Sequence, residues 1–573
     1  MADPTSTPSD LEKGQTSNDK DFEDIEKAQR DSDDSPHDDS DSSSTFSEPH
    51  MEGPRSIRGC SSTGLSRTTS RRLERANTAA SFALSKIRSR NPRGQFSHPL
   101  LHEKSSPDHI VDFDGPDDPY RPINWVFRKK AITTALYGLT TMGATLASSI
   151  FSPATKQIAE EFGVGVEVAT LGTALFLFGL GLGPLLWAPL SELYGRKPAV
   201  LIPAFIGGIF AFGCGASKDI QTVIICRFFQ GVFSSAPVTN TGGVLGDIWS
   251  AEQRAAAIVG YAIAVVGGPT LGPLIGSAIV TSHLRWRWTQ YISGIFIMFI
   301  CTLDVIFLDE SYPPALLVQK AQRLRHESGN WALHAQHEEW DVSINEMLHK
   351  YGVRPFQVLA SPIGFLVALY ASFTYGILYA TLGAYPVEFE EVRGWSPVVG
   401  SLAFLGTLIG VFIGSAVNLL NQRFYVKKLR ANNGKPVPEA RLPPMMFGSI
   451  CFAGGLFIFA WTSDPKIHWI APMIGVVISG AGFFTIFQAA INYLIDTFQR
   501  YAASAIAANT FLRSAFAGAF PLFITQMLHA LGVDWGISVF AFCAVALIPI
   551  PFLFYVYGYR IRASGQWSRE STL

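Results

Sequence analysis

Along this chain, runs of about twenty predominantly apolar residues alternate with short polar breaks, the length an α-helix needs to cross a hydrocarbon layer. The runs fall near 131–152, 168–190, 199–216, 221–245, 255–280, 288–308, 361–386, 397–420, 444–463, 469–495, 502–528 and 535–558 of the 573 residues. The pattern predicts an all-α polytopic membrane protein with 12 transmembrane helices. One break is much longer than the rest. Residues 309–360 are polar and charged, with a helical pattern near 315–328, and they split the runs six and six. The expected organisation is a tail at 1–110, an N-terminal six-helix half at 111–308, a cytoplasmic linker at 309–360, a C-terminal half at 361–560 and a tail at 561–573. The first tail is rich in Ser, Asp, Glu and Pro and poor in large apolar residues, so it cannot offset its chain entropy by burial and is expected to be disordered.

Bases orient the spans. They gather before the first run (Arg128, Lys129, Lys130), after the second (Arg196, Lys197), in the long break (Lys320, Arg323, Arg325, Lys350, Arg354), after the eighth (from Arg423 to Arg441) and at the end (Arg560, Arg562, Arg569). The opposite breaks hold only Lys156, Lys218, Arg285, Arg287, Arg393 and Lys466. Both termini are therefore expected in the cytoplasm. Charge is segregated in the tail, acidic over 18–41 and basic over 67–93. The basic run is either a solvated tail or a patch drawn to anionic lipid, and a phosphate on Ser70 or Thr78 would weaken that attraction.

Composition agrees with a membrane protein: 16% of residues are charged, against about 25% in a soluble domain. A net charge of −1 gives no bulk attraction to nucleic acid. The six cysteines are scattered without paired or metal-ligand spacing, so neither a disulfide framework nor a metal site is expected. The first fifty residues lack the apolar core of a signal peptide, leaving the first span to act as insertion signal. With no nucleophile–base pattern and no P-loop, an enzyme is not expected, nor is a cofactor or direct use of ATP.

The most informative break is Gly183-Pro184-Leu185-Leu186-Trp187-Ala188-Pro189-Leu190-Ser191-Glu192-Leu193-Tyr194-Gly195-Arg196-Lys197. It joins two apolar runs through a turn too short for anything but a helical hairpin, with Gly195 placed to let the backbone reverse. Glu192, Gly195, Arg196 and Lys197 resemble the loop motif G-x-x-x-D-R-x-G-R-[RK] of the major facilitator superfamily, with Glu for Asp. The form Pro-Leu-Ser-Glu-Leu-Tyr-Gly-Arg-Lys is similar to that of the 12-spanner drug:proton antiporters of fungi. The lead-in from Asp117 to Trp125 resembles the D-P-x-x-P-x-N-W of the same family. Pro313-Pro314 and Arg354-Pro355-Phe356 bracket the linker as they do there. The halves echo each other: Asp247 then Arg254 after the fourth run, Asp496 then Arg500 after the tenth, completing a set of gating-loop candidates.

A charge inside a bilayer is costly and marks function by default. Arg227 and Arg513 are such charges, each otherwise a snorkelling or clamping residue. Arg227, Gln230 and Gly231 match the family's R-x-x-Q-G, and the resemblance implies a part in proton coupling. No carboxylate falls mid-span, since Asp247, Asp304 and Asp496 all lie near inner ends, so the proton carrier is left unassigned. Gly268, Gly272 and Gly276 share one helix face at four-residue spacing, with Pro269 and Pro273 among them. That is a close-packing seam and resembles the antiporter motif G-x-x-x-G-P-x-x-G-G, which implies export. Tyr375, Tyr379, Gln488, Asn492, Asn509 and Arg513 are the candidates to line a substrate cavity.

Two further readings stay open. One is a narrower carrier for polyamines or an organic acid, with Glu388, Glu390 and Glu391 as the polyamine hint. The other is a non-transporting sensor. The leading expectation is a monomeric plasma-membrane efflux pump, a multidrug-resistance type of proton antiporter, whose partners are a small amphipathic substrate, protons and the lipid bilayer.

Overall fold

The structure, a computed structural model, describes residues 109–339, 346 and 348–569, except the side chains of 251, 252, 255, 256, 348 and 500. The expectations for the N-terminal tail, with its two charge runs, Ser70 and Thr78, lie outside the described residues, as does the side chain of Arg500. Among the described residues the regular structure is helical apart from one isolated parallel bridge between Ile110 and His334.

The helices follow the apolar runs. Before residue 309 come α1 (Phe127–Ser149), α2 (Thr155–Phe162), α3 (Val166–Leu182), α4 (Pro184–Tyr194), α5 (Arg196–Gly215), α6 (Ile220–Ile248), α7 (Ala251–Val280) and α8 (Arg287–Phe307). The intervening segment carries α9 (Pro313–Ser328) and α10 (Arg354–Leu359). Then come α11 (Pro362–Tyr385), α12 (Pro397–Ser401), α13 (Ala403–Ala431), α14 (Pro443–Trp461), α15 (Ile470–Thr497), α16 (Ala502–Leu547), α17 (Pro549–Ser564) and α18 (Gln566–Arg569). Among the described residues, nine helical stretches are long and apolar enough to cross a membrane.

Boundaries depart from the expected ones where proline, glycine or charge intervenes. The second run is broken at Gly183–Pro184, because Pro184 has no N–H to continue the ladder. In α16, Gly532 takes φ +81° and separates two arms. The amphipathic α2 occupies a break read as loop and is closed by Gly163 at φ +64°. The eighth run continues as helix well past 420, to Ala431. Its extension is built of polar helix formers, and Lys428 and Arg430 in its last turn suit the negative end of the dipole.

Two sets of helices result. In the first, α1 packs on α7, α6 on α3 and α5, and α8 on α5; in the second, α14 packs on α15, α11 on α16 and α13 on α15. The sets meet along a seam where α16 lies on α3 and α13 on α7. Outside both, Val111, Ala321 and Ala335 form a small apolar cluster that ties the lead-in to α9. It is reinforced by Lys320 Nζ donating to Asp112 O (2.9 Å) and Asp114 Oδ1 (2.7 Å). The Asp118 carboxylate accepts the backbone N–H of Asp114 (2.9 Å) and of Tyr120 (2.8 Å). Those bonds, the first above all, hold it below the usual carboxylate range.

Candidate functional site

The hairpin tip between α4 and α5 is locked from several sides. Gly195 has φ +97°, and a Cβ there would lie 2.5 Å from Glu310 Oε2, so both the turn and the contact call for glycine. Glu310 accepts the first two N–H groups of α5, from Arg196 (2.9 Å) and Lys197 (3.1 Å). A carboxylate is favoured there because those N–H groups lack partners within their own helix. The Arg196 side chain donates to Asp247 Oδ2 (3.1 Å) and Ser191 Oγ (2.8 Å) and lies 4.8 Å from the Tyr312 ring centre. Glu192 takes Lys350 Nζ at 3.0 Å and the Tyr351 hydroxyl. The tip is thus tied to both ends of the 309–360 segment. Glu310 and Tyr351 escaped the sequence reading. The one signal for Glu310 was an acidic pair, Asp309-Glu310, directly after an apolar run.

The two acids of the echo are each bound by an arginine from another helix–helix turn. Arg254 donates to Gly246 O (3.0 Å), and Asp247 is bound by Arg196 instead. Asp496 is bound by Arg441, at 2.9 Å. Arg441 also donates to Gln422 Oε1 (2.8 Å) and sits 3.3 Å from the Tyr425 ring centre. Each set therefore places an arginine from a helix–helix turn on an aspartate at the end of another helix, backed by a tyrosine. In the sequence Arg441 stands out only as one of the bases after the eighth run.

Arg227 is fully buried on α6. Its guanidinium donates to Ala147 O (2.7 Å), Ser148 O (3.2 Å), Gly172 O (3.1 Å) and Gln230 Oε1 (3.1 Å), between the rings of Phe151 (4.6 Å) and Phe176 (4.5 Å). Ala147 and Ser148 belong to the last turn of α1, whose carbonyls carry the negative end of the helix dipole. That explains how the charge is held without a carboxylate. Gly231 brings α6 against α3, since a Cβ there would fall 2.0 Å from Phe176 O.

The α1–α7 contact is the glycine seam. A Cβ on Gly268, Gly272 or Gly276 would lie 2.1 Å from Thr145 Oγ1, 2.0 Å from Ser149 Oγ and 2.6 Å from Ile150 O respectively. Gly267, one residue off that face, meets nothing within 4 Å. Pro269 and Pro273 sit inside a helix that remains continuous from Ala251 to Val280.

Most cavity candidates converge where the sets meet. Tyr379 and Ser148 share a hydrogen bond across the seam at 2.7 Å. The Tyr375 ring lies 5.3 Å from Tyr379 and 5.7 Å from Phe487. Arg513 lies over Tyr375 (4.5 Å) and Phe487 (5.3 Å). Gln488 and Asn509 are buried in the same helices. Asn492 stands apart, lining a cavity of about 20 Å³ with Val259, Asn418, Gln422 and Arg441. Another cavity, of about 40 Å³, lies within the second set between Tyr385, Phe452 and Phe540. Both are far smaller than the several hundred Å³ (roughly 300 at least) that a drug-sized ligand fills.

Asp304 lies three residues before the end of α8, as its place in the sequence suggested. It is fully buried, and Thr140, halfway along α1, donates to its Oδ2 at 2.5 Å. Its Oδ1 has no partner. Two of the acids that follow α11 are paired: Glu388 with Arg393 (2.8 Å), Glu391 with Lys156 (3.2 Å) and His529 (2.7 Å). Gln526 on α16 also reaches Glu167 on α3 at 3.1 Å.

The Major Facilitator Superfamily profile matches residues 137–521. The chain is 52% identical over 471 residues to the efflux pump bik6 of Gibberella fujikuroi, covering 82% of this chain and 97% of that protein. It is 38% identical over 515 residues to the major facilitator superfamily multidrug transporter FLU1 of Candida albicans, covering 89% and 84%. Among solved structures, the proton:xylose symporter XylE aligns with a TM-score of 0.54 at 14% identity, over 76% of this chain and 96% of that one; at that identity the likeness concerns the fold.

Proposed function

The chain belongs to the major facilitator superfamily, and we propose that it is an exporter that exchanges small amphipathic compounds for protons across the plasma membrane. As a member it is a multi-pass membrane transporter, not an enzyme. In the proposed topology it crosses the membrane twelve times, as two six-helix halves at 111–308 and 361–560 with a cytoplasmic linker and both termini inside. The nine apolar stretches count Ala502–Ser564 once, although Gly532 divides it. They omit α1 and α6, where five threonines and the Arg227–Gln230 pair dilute the apolar surface. The distribution of bases supports the orientation.

The observation that carries the transport reading is the seam between the two sets. At one end Glu192 of the first set holds Lys350 and Tyr351 of the linker, just before α10, which packs on α16. At the other, Lys156 and His529 hold Glu391, and Gln526 holds Glu167. Ser148 and Tyr379 join the sets between those ends. Rocking about the seam would break one group of contacts while keeping the other, opening the middle to one side at a time. Export direction is supported by the glycine–proline seam of α7 and by relatives named as an efflux pump and a multidrug transporter.

Asp304 supplies the exchangeable proton in this reading, as a buried carboxyl with one free oxygen and a hydroxyl partner. Arg227 acts indirectly, by fixing the end of α1 that presents Ser148 to Tyr379. The test is uptake of a compound panel into inside-out vesicles with and without an imposed pH gradient. Gradient-driven accumulation is expected, and Asp304→Asn should lose it while keeping substrate-for-substrate exchange. Accumulation indifferent to the gradient would sink antiport; undiminished accumulation by the Asn variant would sink Asp304 as carrier; no transport of any compound would favour the sensor.

A further inference from the structure

Among the described residues three arginines are buried, and two of them are answered. Arg227 closes on three backbone carbonyls and Gln230, and Arg562 closes on Glu439 at 2.6 Å. Arg513 is 4% exposed, and among the described residues it has no ion pair and no hydrogen bond; its Nε is buried without an acceptor. Its guanidinium lies over the faces of Tyr375 and Phe487. Three neighbours along the same two helices share the deficit: Gln488 Nε2, Asn509 Oδ1 and Ser514 Oγ are all buried and unpartnered. Ser514 lies against Gly181 of the opposite set, where an added Cβ would come within 2.7 Å of it. The cluster is therefore on the seam.

Unpaired buried polar atoms are rare because each costs a full desolvation, and several together call for an absent partner. The chemistry of that partner follows from the donors. A guanidinium fork matches a carboxylate or another delocalised oxyanion. The flanking ring faces suit a flat aromatic body. A cationic ligand would meet Arg513, and beyond Tyr379 lies Ser148, whose carbonyl accepts from a second buried arginine, Arg227. Two of the three acids read as a polyamine hint are paired, Glu388 with Arg393 and Glu391 with Lys156 and His529.

We infer that Arg513, Tyr375, Phe487 and Gln488 form an anion subsite, and that the exported compounds are aromatic acids, carboxylates or ionised phenols, whose oxygen takes the free Arg513 Nε. The inference narrows the exporter reading and rests on it for transport, but not for binding.

The test is equilibrium dialysis of full-length protein in lipid nanodiscs against three probes that share one ring: 2-naphthoate, 2-naphthamide and 2-naphthylmethylammonium. The acid should bind roughly ten-fold tighter than the amide, the gain expected of a charge-assisted bond over a neutral one. Arg513→Gln should level the two, with a wild-type folded peak in size-exclusion chromatography as the control for folding. Arg513→Lys should retain part of the preference. Equal binding of acid and amide by the wild type, a preference for the ammonium probe, or a preference that survives in the Gln variant would each overturn the subsite. Vesicle uptake of the same probes separates the two ideas. Acid-selective binding without uptake would sink export and leave the subsite; uptake without acid selectivity would do the reverse.

Discussion

Arg227 and Arg513 are the same residue in nearly the same degree of burial, each against two aromatic rings, yet one is closed and the other open. The difference lies in what the neighbouring backbone offers. Arg227 faces the end of α1, where Ala147 and Ser148 have carbonyls to spare. Arg513 faces side chains only, and none of them accepts its protons. A buried charge whose partners are supplied by the fold holds the fold together. A buried charge without them is a place for something else to bind.

The largest effect that would break this contrast is loss of the closed arginine. Arg227→Leu removes several bonds to a charged donor, each worth about 1.5–3 kcal/mol, and should abolish the folded peak in size-exclusion chromatography of detergent-solubilised protein. A normal peak would put Arg227 in the same class as Arg513. Next, Gly272→Leu drives a side chain into Ser149 and Ile150, beside the turn that Arg227 caps. It should cost about 1–3 kcal/mol of overpacking, read as a lower melting temperature. Gly267→Ala, facing open space, should leave melting unchanged. Arg513→Gln should also melt like the wild type, sharpening the contrast from the open side; collapse of that variant would show that Arg513 holds structure after all. The smallest effect is expected at the outer end: Lys156 and Glu391 are 64% and 36% exposed, so Lys156→Ala should lower stability by no more than about 1 kcal/mol.

The helices themselves were legible because their cause is local. Twenty apolar residues in a row must satisfy their own backbone in lipid, whatever surrounds them, and α1, α5, α8, α11 and α14 begin and end within a few residues of the runs. The seam of Gly268, Gly272 and Gly276 was legible for the same reason: periodicity alone puts the three on one face. The pairing of charges was not. Asp247 sits closer in sequence to Arg254 than to Arg196, and Arg441 lies far along the chain from Asp496. The bonds observed for both aspartates nonetheless join segments about fifty residues apart, where the tertiary arrangement brings two loops onto one helix end.

By itself, then, the order of residues determined which segments are helices, which faces of them pack closely, and that two arginines had to lie among apolar neighbours. Only the tertiary structure decided that Glu310 caps α5, that Asp304 reaches Thr140, and that Arg227 is satisfied while Arg513 is not. Hydrophobic length is a property of a stretch of chain, whereas a hydrogen-bond partner for a buried group is a property of whatever helix the fold places beside it.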